Sequence, residues 1–289
     1  MSKHLKQTIM LVVALIIVLG AAIFVSVSNN ENDSNKSSKK ADRPVPTLYI
    51  IGANASQNAA NHLMAIGNRD GGTPGLTVTF GSDEKPIYKG KLTKKVSQPM
   101  IKLTFNSKTT VFEQMHGIHN VLAHLKAKYG YANYNAVGFS GGAVAALSSA
   151  SDKDTSIPEM SQLISIGAGY NGVMKTNDKP NSNHLNNSDK PLILRKATKE
   201  YPSYKELISS TKTLPKNVKV LNIYGNSAGK ANNDGVITNV SSESLKYLVK
   251  SRTDNYQAIK LTGSDASHNG LFNHPVVDRL VEKALFDKR

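Results

Sequence analysis

The chain has 289 residues, 39% hydrophobic and 20% charged. That is enough apolar material for one domain of up to about 250 residues and too much for a disordered or collagen-like polymer. It carries 36 Lys and Arg against 21 Asp and Glu, a formal net charge of +15, and no cysteine. Disulfides, thiolate metal sites, iron–sulfur clusters, cysteine nucleophiles and a lipid-modified cysteine are thereby excluded. With no Trp and 6% aromatic residues, stacking on bases is disfavoured, so the basic surplus suits an anionic surface rather than nucleic acid.

Lys3, His4 and Lys6 lead into an uncharged run rich in Ile, Leu and Val over residues 9–27, long enough to cross about 30 Å of hydrocarbon as a helix. A secretory signal peptide has the same polarity, with an apolar region of about 7 to 15 residues. The length favours an uncleaved single-pass anchor, although Ser26-Val27-Ser28 offers a small-x-small cleavage site. Both readings export the rest of the chain, because positive charge stays on the cytoplasmic side. Residues 29–44 are polar, lack apolar periodicity and read as a solvated linker. A basic, cysteine-free exported domain fits a Gram-positive surface with anionic wall polymers; scattered lysines with no partner are the plain alternative.

From residue 45 onward, β-branched and aromatic runs alternate with helical patterns, which predicts an α/β domain over residues 45–289 with a mostly parallel sheet covered on both faces. The expected strands are residues 47–51, 76–80, 100–105, 135–139, 163–167, 218–224 and 257–261. A helix is expected over 111–129, where Thr110 and Glu113 form a T-x-x-E capping box and Val111, Ile118, Leu122 and Leu125 share a face. Others are expected over 242–249 and over 275–286, the latter with Pro at its first position. Residues 170–216, rich in Asn, Lys, Ser and Pro, break the alternation and read as an insertion that folds over something as a lid.

The strand expected at 135–139 runs directly into Gly138-Phe139-Ser140-Gly141-Gly142, followed by a helix start. This is G-x-S-x-G in the strand–turn–helix setting that exposes a serine on a sharp turn. A Cβ two residues before or after would clash as strand and helix close together. The turn aims the Gly141 amide at the place where an oxyanion would form.

A serine hydroxyl needs a base, and the base needs an acid to orient it. Only His184, His268 and His274 follow Ser140, and only His268 lies in a short polar loop between the last strand and last helix. His274 precedes Pro275 and is expected to cap that helix, while His184 falls in the insertion. For the acid, Asp234 in Asn233-Asp234-Gly235 follows a strand at the position required by the order Ser, Asp, His. Asp265, three residues before His268, would have to fold back on its own loop. The second oxyanion donor is expected in the loop after the first strand, at the Ala53 amide.

Other signals fail on spacing. Gly225 to Lys230 lacks a residue for a phosphate loop, with Ala231 where Ser or Thr is needed. His116 and His119 are not joined by acidic ligands. No internal repeat, metal or cofactor is expected.

Together the segments Pro46-Thr47-Leu48-Tyr49-Ile50-Ile51-Gly52, the Ser140 turn, Val220-Leu221-Asn222-Ile223-Tyr224-Gly225 with Asp234, the helix at 241–248, and Ser267-His268-Asn269 with Asn273-His274-Pro275 resemble the α/β-hydrolase superfamily. The resemblance is greatest to its bacterial membrane-anchored branch of cell surface hydrolases with a domain of unknown function. It implies the α/β-hydrolase fold, a catalytic Ser140, His268 and Asp234, and a serine esterase or lipase-like enzyme acting on a small-molecule or lipid acyl substrate. The chain departs from the branch at Ile51, where His usually precedes the glycine, and at Phe139, where His is usual in the turn. A hydrolase-fold protein that binds wall polymer without catalysis is the alternative reading.

Overall fold

The computed structural model describes residues 44–52, 57–81, 85–93, 96–151 and 154–286. The apolar run at 9–27 and, except for Pro44, the linker expected at 29–44 lie outside the described residues. Among the described residues no helix is long and apolar enough to cross a membrane. Residues from Pro44 onward form one compact unit.

Its elements in chain order are strand β1 (Thr47–Ile51), helix α1 (Gln57–Arg69), strands β2 (Thr73–Phe80), β3 (Pro86–Gly90) and β4 (Pro99–Thr104), helix α2 (Val111–His124), strand β5 (Asn133–Phe139), helix α3 (Gly141–Ala150), and strand β6 (Glu159–Ile166). They continue with helix α4 (Tyr204–Ser210), strand β7 (Lys219–Asn226), helices α5 (Asn239–Glu243) and α6 (Leu245–Val249), strand β8 (Tyr256–Thr262), and helix α7 (Pro275–Phe286). The strands make one eight-stranded sheet in the order β3-β2-β4-β1-β5-β6-β7-β8. The β2–β3 pair is antiparallel and all other pairs are parallel.

Handedness explains which helix covers which face. The step from β1 to β2 runs one way across the sheet, whereas the steps from β4 to β5 and on to β8 run the other way, so right-handed crossovers place their helices on opposite faces. Leu48, Ile50, Ala136, Leu163 and Val220 accordingly pack with α2, α3, α4 and α6 in one cluster. Tyr49, Ile51, Val137, Ile164, Ile166, Leu221 and Ile223 point the other way, onto α1 and the C-terminal α7. Both faces are buried, and β1 therefore has no exposed residue to alternate with its apolar ones. The helices that follow β1 and β5, neighbours in the sheet, pack on opposite faces, which leaves a crevice beyond the C-terminal ends of these two strands.

Several boundaries differ from the expectation. Strand β6 starts at Glu159 rather than 163, because its first residues pair with Asn133 and Tyr134 of β5 at the sheet's rim. The helix expected at 111–129 turns π-helical over Leu125–Tyr129 before ending on Gly130 at φ 69°. The helix expected at 242–249 is two short helices that meet at Ser244. Strand β3 and helix α1 were not expected. The former is a short outer strand with Ile87 exposed, and the latter buries Ala59, Ala60, Leu63 and Ile66.

Candidate functional site

Strand β5 carries the chain to Ser140, whose backbone lies at φ 53° and ψ −130°, a region nearly reserved for glycine. The turn is held from three sides. Ser140 N–H donates to Ile166 O at the end of β6 at 2.9 Å, Gly52 N–H donates to Phe139 O at 3.1 Å, and α3 starts at the next residue. A Cβ at Gly138 would come within 2.4 Å of Ala143 Cα, and one at Gly142 within 2.5 Å of Ile50 O. The two glycines are thus required by backbone contact across the turn.

His268 and Asp234 come to Ser140 from loops after β8 and β7. Ser140 Oγ and His268 Nε2 are 3.1 Å apart, and His268 Nδ1 lies 2.8 Å from Asp234 Oδ2. Because a carboxylate only accepts, Nδ1–H donates to Asp234, leaving Nε2 free to accept the serine proton. The Asp234 carboxylate is 2% exposed, and its other oxygen accepts from Val236 N–H at 2.8 Å and Ile237 N–H at 2.6 Å. The His268 main chain is tied to the same residue, donating to Asp234 O at 2.8 Å. Phe139 packs against the imidazole with ring centroids 5.0 Å apart and meets Phe272 edge-on.

Of the rivals, Asp265 is 71% exposed and pairs with His274 at 3.3 Å, away from His268. His274 caps α7, its Nδ1 accepting from Val276 N–H at 3.1 Å. His184 lies in a separate polar recess with Asn232 and Glu243. His119 pairs with Asp154. Among the described residues no group of three or more His, Asp or Glu could hold a metal ion.

The Gly141 amide sits at the first turn of α3, where N–H groups have no intrahelical acceptor and the helix dipole is positive. A Cβ on Gly52 would press on this amide at 3.2 Å, so the end of β1 abuts the candidate oxyanion position. Ala53 lies outside the described residues.

A cavity of about 620 Å³ opens in front of Ser140 and His268, with Val173, Thr176, Glu200 and Tyr201 of the 170–216 segment on its wall. That segment is polar yet ordered, because asparagine amides serve in place of a sheet. Asn171 donates to Ile193 O and accepts from Arg195 N–H, while Asn183 accepts from Ile193 N–H and donates to its O. Arg195 pairs with the buried Asp178 at 2.6 Å, and Asp178 also accepts from Thr238 of the Asp234 loop at 2.6 Å. Val111 N–H, at the start of α2, donates to Glu200 O at 2.9 Å.

Two residues at the site were not anticipated. Tyr201 sits beside Ser140. Burial and then the Glu200 carboxylate raise its pKa, and hydrogen bonding to Ser140 offsets part of the rise, so the phenol stays protonated and able to donate. Gln114 lines the cavity from α2. Its signal in the sequence is a polar residue three positions after Val111, on an otherwise apolar helical face.

A mostly parallel sheet with a serine strained at the end of its central strand, hydrogen-bonded to a histidine and in turn to an aspartate, defines an α/β hydrolase. The family model described as α/β hydrolase of unknown function (DUF915) matches residues 34–288, and the chain belongs to that family. Among solved structures it is similar to the product of gene lin2722 from Listeria innocua, with TM-score 0.71 and 22% identity, covering 85% of this chain and 95% of that one. It is also similar to a protein from Lactobacillus plantarum described as a cell surface hydrolase, with TM-score 0.65 and 20% identity, covering 86% and 94%. No curated protein sequence matches the chain.

Proposed function

We propose that the chain is a membrane-anchored, extracytoplasmic serine hydrolase that cleaves an acyl ester through an acyl-enzyme. The observation that carries this reading is the hydrogen-bonded line from Ser140 Oγ through His268 to Asp234, set on a backbone turn strained for the purpose. His268 Nε2 takes the Ser140 proton as Oγ attacks the acyl carbonyl, and Asp234 stabilises the imidazolium that forms. The Gly141 and Ala53 amides hold the oxyanion. Collapse of the tetrahedral intermediate expels the alcohol, which takes its proton from His268. Water, activated by the same histidine, then releases the acid. The 170–216 segment serves as a lid, with Tyr201 as its inner tip. Export and anchoring rest on the apolar run at 9–27 behind Lys3 and Lys6, and the description of the Lactobacillus relative agrees with a surface location.

The test is p-nitrophenyl acetate hydrolysis by the full-length chain in detergent, with the trapped intermediate located by mass spectrometry. The reading expects a burst of nitrophenol and a 42-dalton acetyl adduct on the peptide carrying Ser140, about the mass of one acetyl group in place of a proton. Turnover without an adduct, and unchanged by Ser140→Ala, would contradict it.

A further inference from the structure

We propose that the Ser140 site takes a small acyl ester of a hydroxyl-rich alcohol, as in an O-acetylated sugar, and that Gln114 selects it. This rests on the serine-hydrolase reading and narrows its substrate class.

Gln114 lies on the buried face of α2 otherwise formed by Val111, Gly117, Ile118, Val121 and Leu122. The residue is 1% exposed and is one of those that line the cavity in front of Ser140, and its Oε1 has no hydrogen-bond partner. Local structure does not require the amide. Gln114 N–H is already bonded to Thr110 O, and the start of the helix is closed by Thr110 and Glu113. A buried carbonyl oxygen without a donor is costly and uncommon, and packing alone would be served by Leu or Met at this position. Of the described residues with such an orphaned side-chain atom, Gln114 alone lines the Ser140 cavity. A primary amide offers both an acceptor and donors, and its natural counterpart is an alcohol hydroxyl, which also does both.

The rest of the wall agrees. Thr109, Thr176 and Asn269 interrupt the apolar contributions of Val111, Phe139 and Val236. A long acyl chain draws its affinity from continuous apolar wall and would leave these groups and Gln114 unpaired. A site built to hydrogen-bond a hydroxyl discriminates sharply against an analogue that lacks it.

A matched pair of acetates tests this on the full-length chain in detergent: methyl 6-O-acetylglucopyranoside, and cyclohexylmethyl acetate, which has a ring of similar size and no hydroxyl. Acetate release should give a kcat/KM at least about tenfold higher for the sugar ester, and Gln114→Met should bring the ratio down to about one. Equal or reversed preference in the wild-type chain overturns the proposal, as does a preference that survives in Gln114→Met. Should that variant not show a cooperative thermal melt, the wild-type ratio decides together with a series from p-nitrophenyl acetate to p-nitrophenyl decanoate, in which faster cleavage of the decanoate overturns the proposal. Failure of the underlying reading looks different: no ester of any kind is cleaved and Ser140 does not react with a fluorophosphonate.

Discussion

Ser140 occupies a backbone region in which a Cβ is strained by on the order of 1–3 kcal/mol, and that strain is a measurable part of the site. Ser140→Ala and Ser140→Gly both remove the hydroxyl, but only glycine relieves the turn. Glycine also adds about 0.5–1 kcal/mol of unfolded-state entropy. The Gly variant should therefore melt above the Ala variant, by about 1 kcal/mol, or roughly 2–4 °C for a domain of this size; an equal or lower melting temperature would mean that the strain at Ser140 does not exceed the entropy that glycine adds. Asp234→Asn keeps the shape but reverses the hydrogen bond to Nδ1, so the histidine presents the wrong tautomer to Ser140. A fall in kcat of about 10³- to 10⁴-fold with unchanged stability is expected from steady-state kinetics and a thermal melt. Tyr201→Phe removes one donor beside Ser140 and should lower kcat/KM by about two- to tenfold. At this scale the sequence was most informative: Ser140, Asp234 and His268 stand in a fixed order within a strand–turn–helix grammar set by close backbone packing. Gln114 left only the trace of one polar residue on an apolar helical face, and Tyr201 left none, because such residues acquire meaning only from what lies opposite them.

The helix α2 and the 170–216 segment meet where the cavity is built. Thr110 accepts from Glu113 N–H at 3.2 Å and Glu113 reaches back to Thr110 N–H, a reciprocal cap readable from T-x-x-E alone. Thr110→Ala should cost about 1 kcal/mol in denaturant unfolding and, because Val111 N–H holds Glu200, should loosen the segment against the helix. The pair of the partly exposed Arg195 with the buried Asp178 ties the same segment to the loop of Asp234 through Thr238. Asp178→Ala takes the carboxylate from a charge-assisted pair and should destabilise by about 1.5–3 kcal/mol, measured by urea unfolding; a loss below about 0.5 kcal/mol would mean that the pair contributes little to holding the segment. Sequence patterns could not give this architecture. Asparagine side chains replace a backbone ladder there, and no periodicity encodes such pairing. The outer strand β3 escaped for the opposite reason, since a short sheet edge with exposed Ile87 and Lys89 carries no buried alternation.

The direction of chain crossover places the site as firmly as any side chain. β1 and β5 lie side by side with Ile51 level with Phe139, and the helices that follow them pack on opposite faces, so the crevice between them is the position at which Ser140 and Gly52 meet. The sheet was legible because β1, β5, β6 and β7 are mostly apolar and buried on both sides, whereas their order in the sheet is not written in composition; handedness only assigns each helix its face once that order is set. The formal net charge of +15 is a property of the whole chain. From the surplus of 36 Lys and Arg over 21 Asp and Glu we propose an anionic wall polymer as a partner; such binding should weaken steeply between about 0.05 and 0.5 M salt as the Debye length shrinks, and no binding, or salt-independent binding, would remove the electrostatic reading. The central claim is that Ser140 is a nucleophile activated by His268. The most direct measurement is labelling of the full-length chain by a fluorophosphonate probe beside its Ser140→Ala and His268→Ala variants. Labelling that is strong in the wild-type chain, absent in the serine variant and lowered by several orders of magnitude in the histidine variant is the expected result. A folded wild-type chain that does not label, or a histidine variant that labels equally fast, would contradict the account.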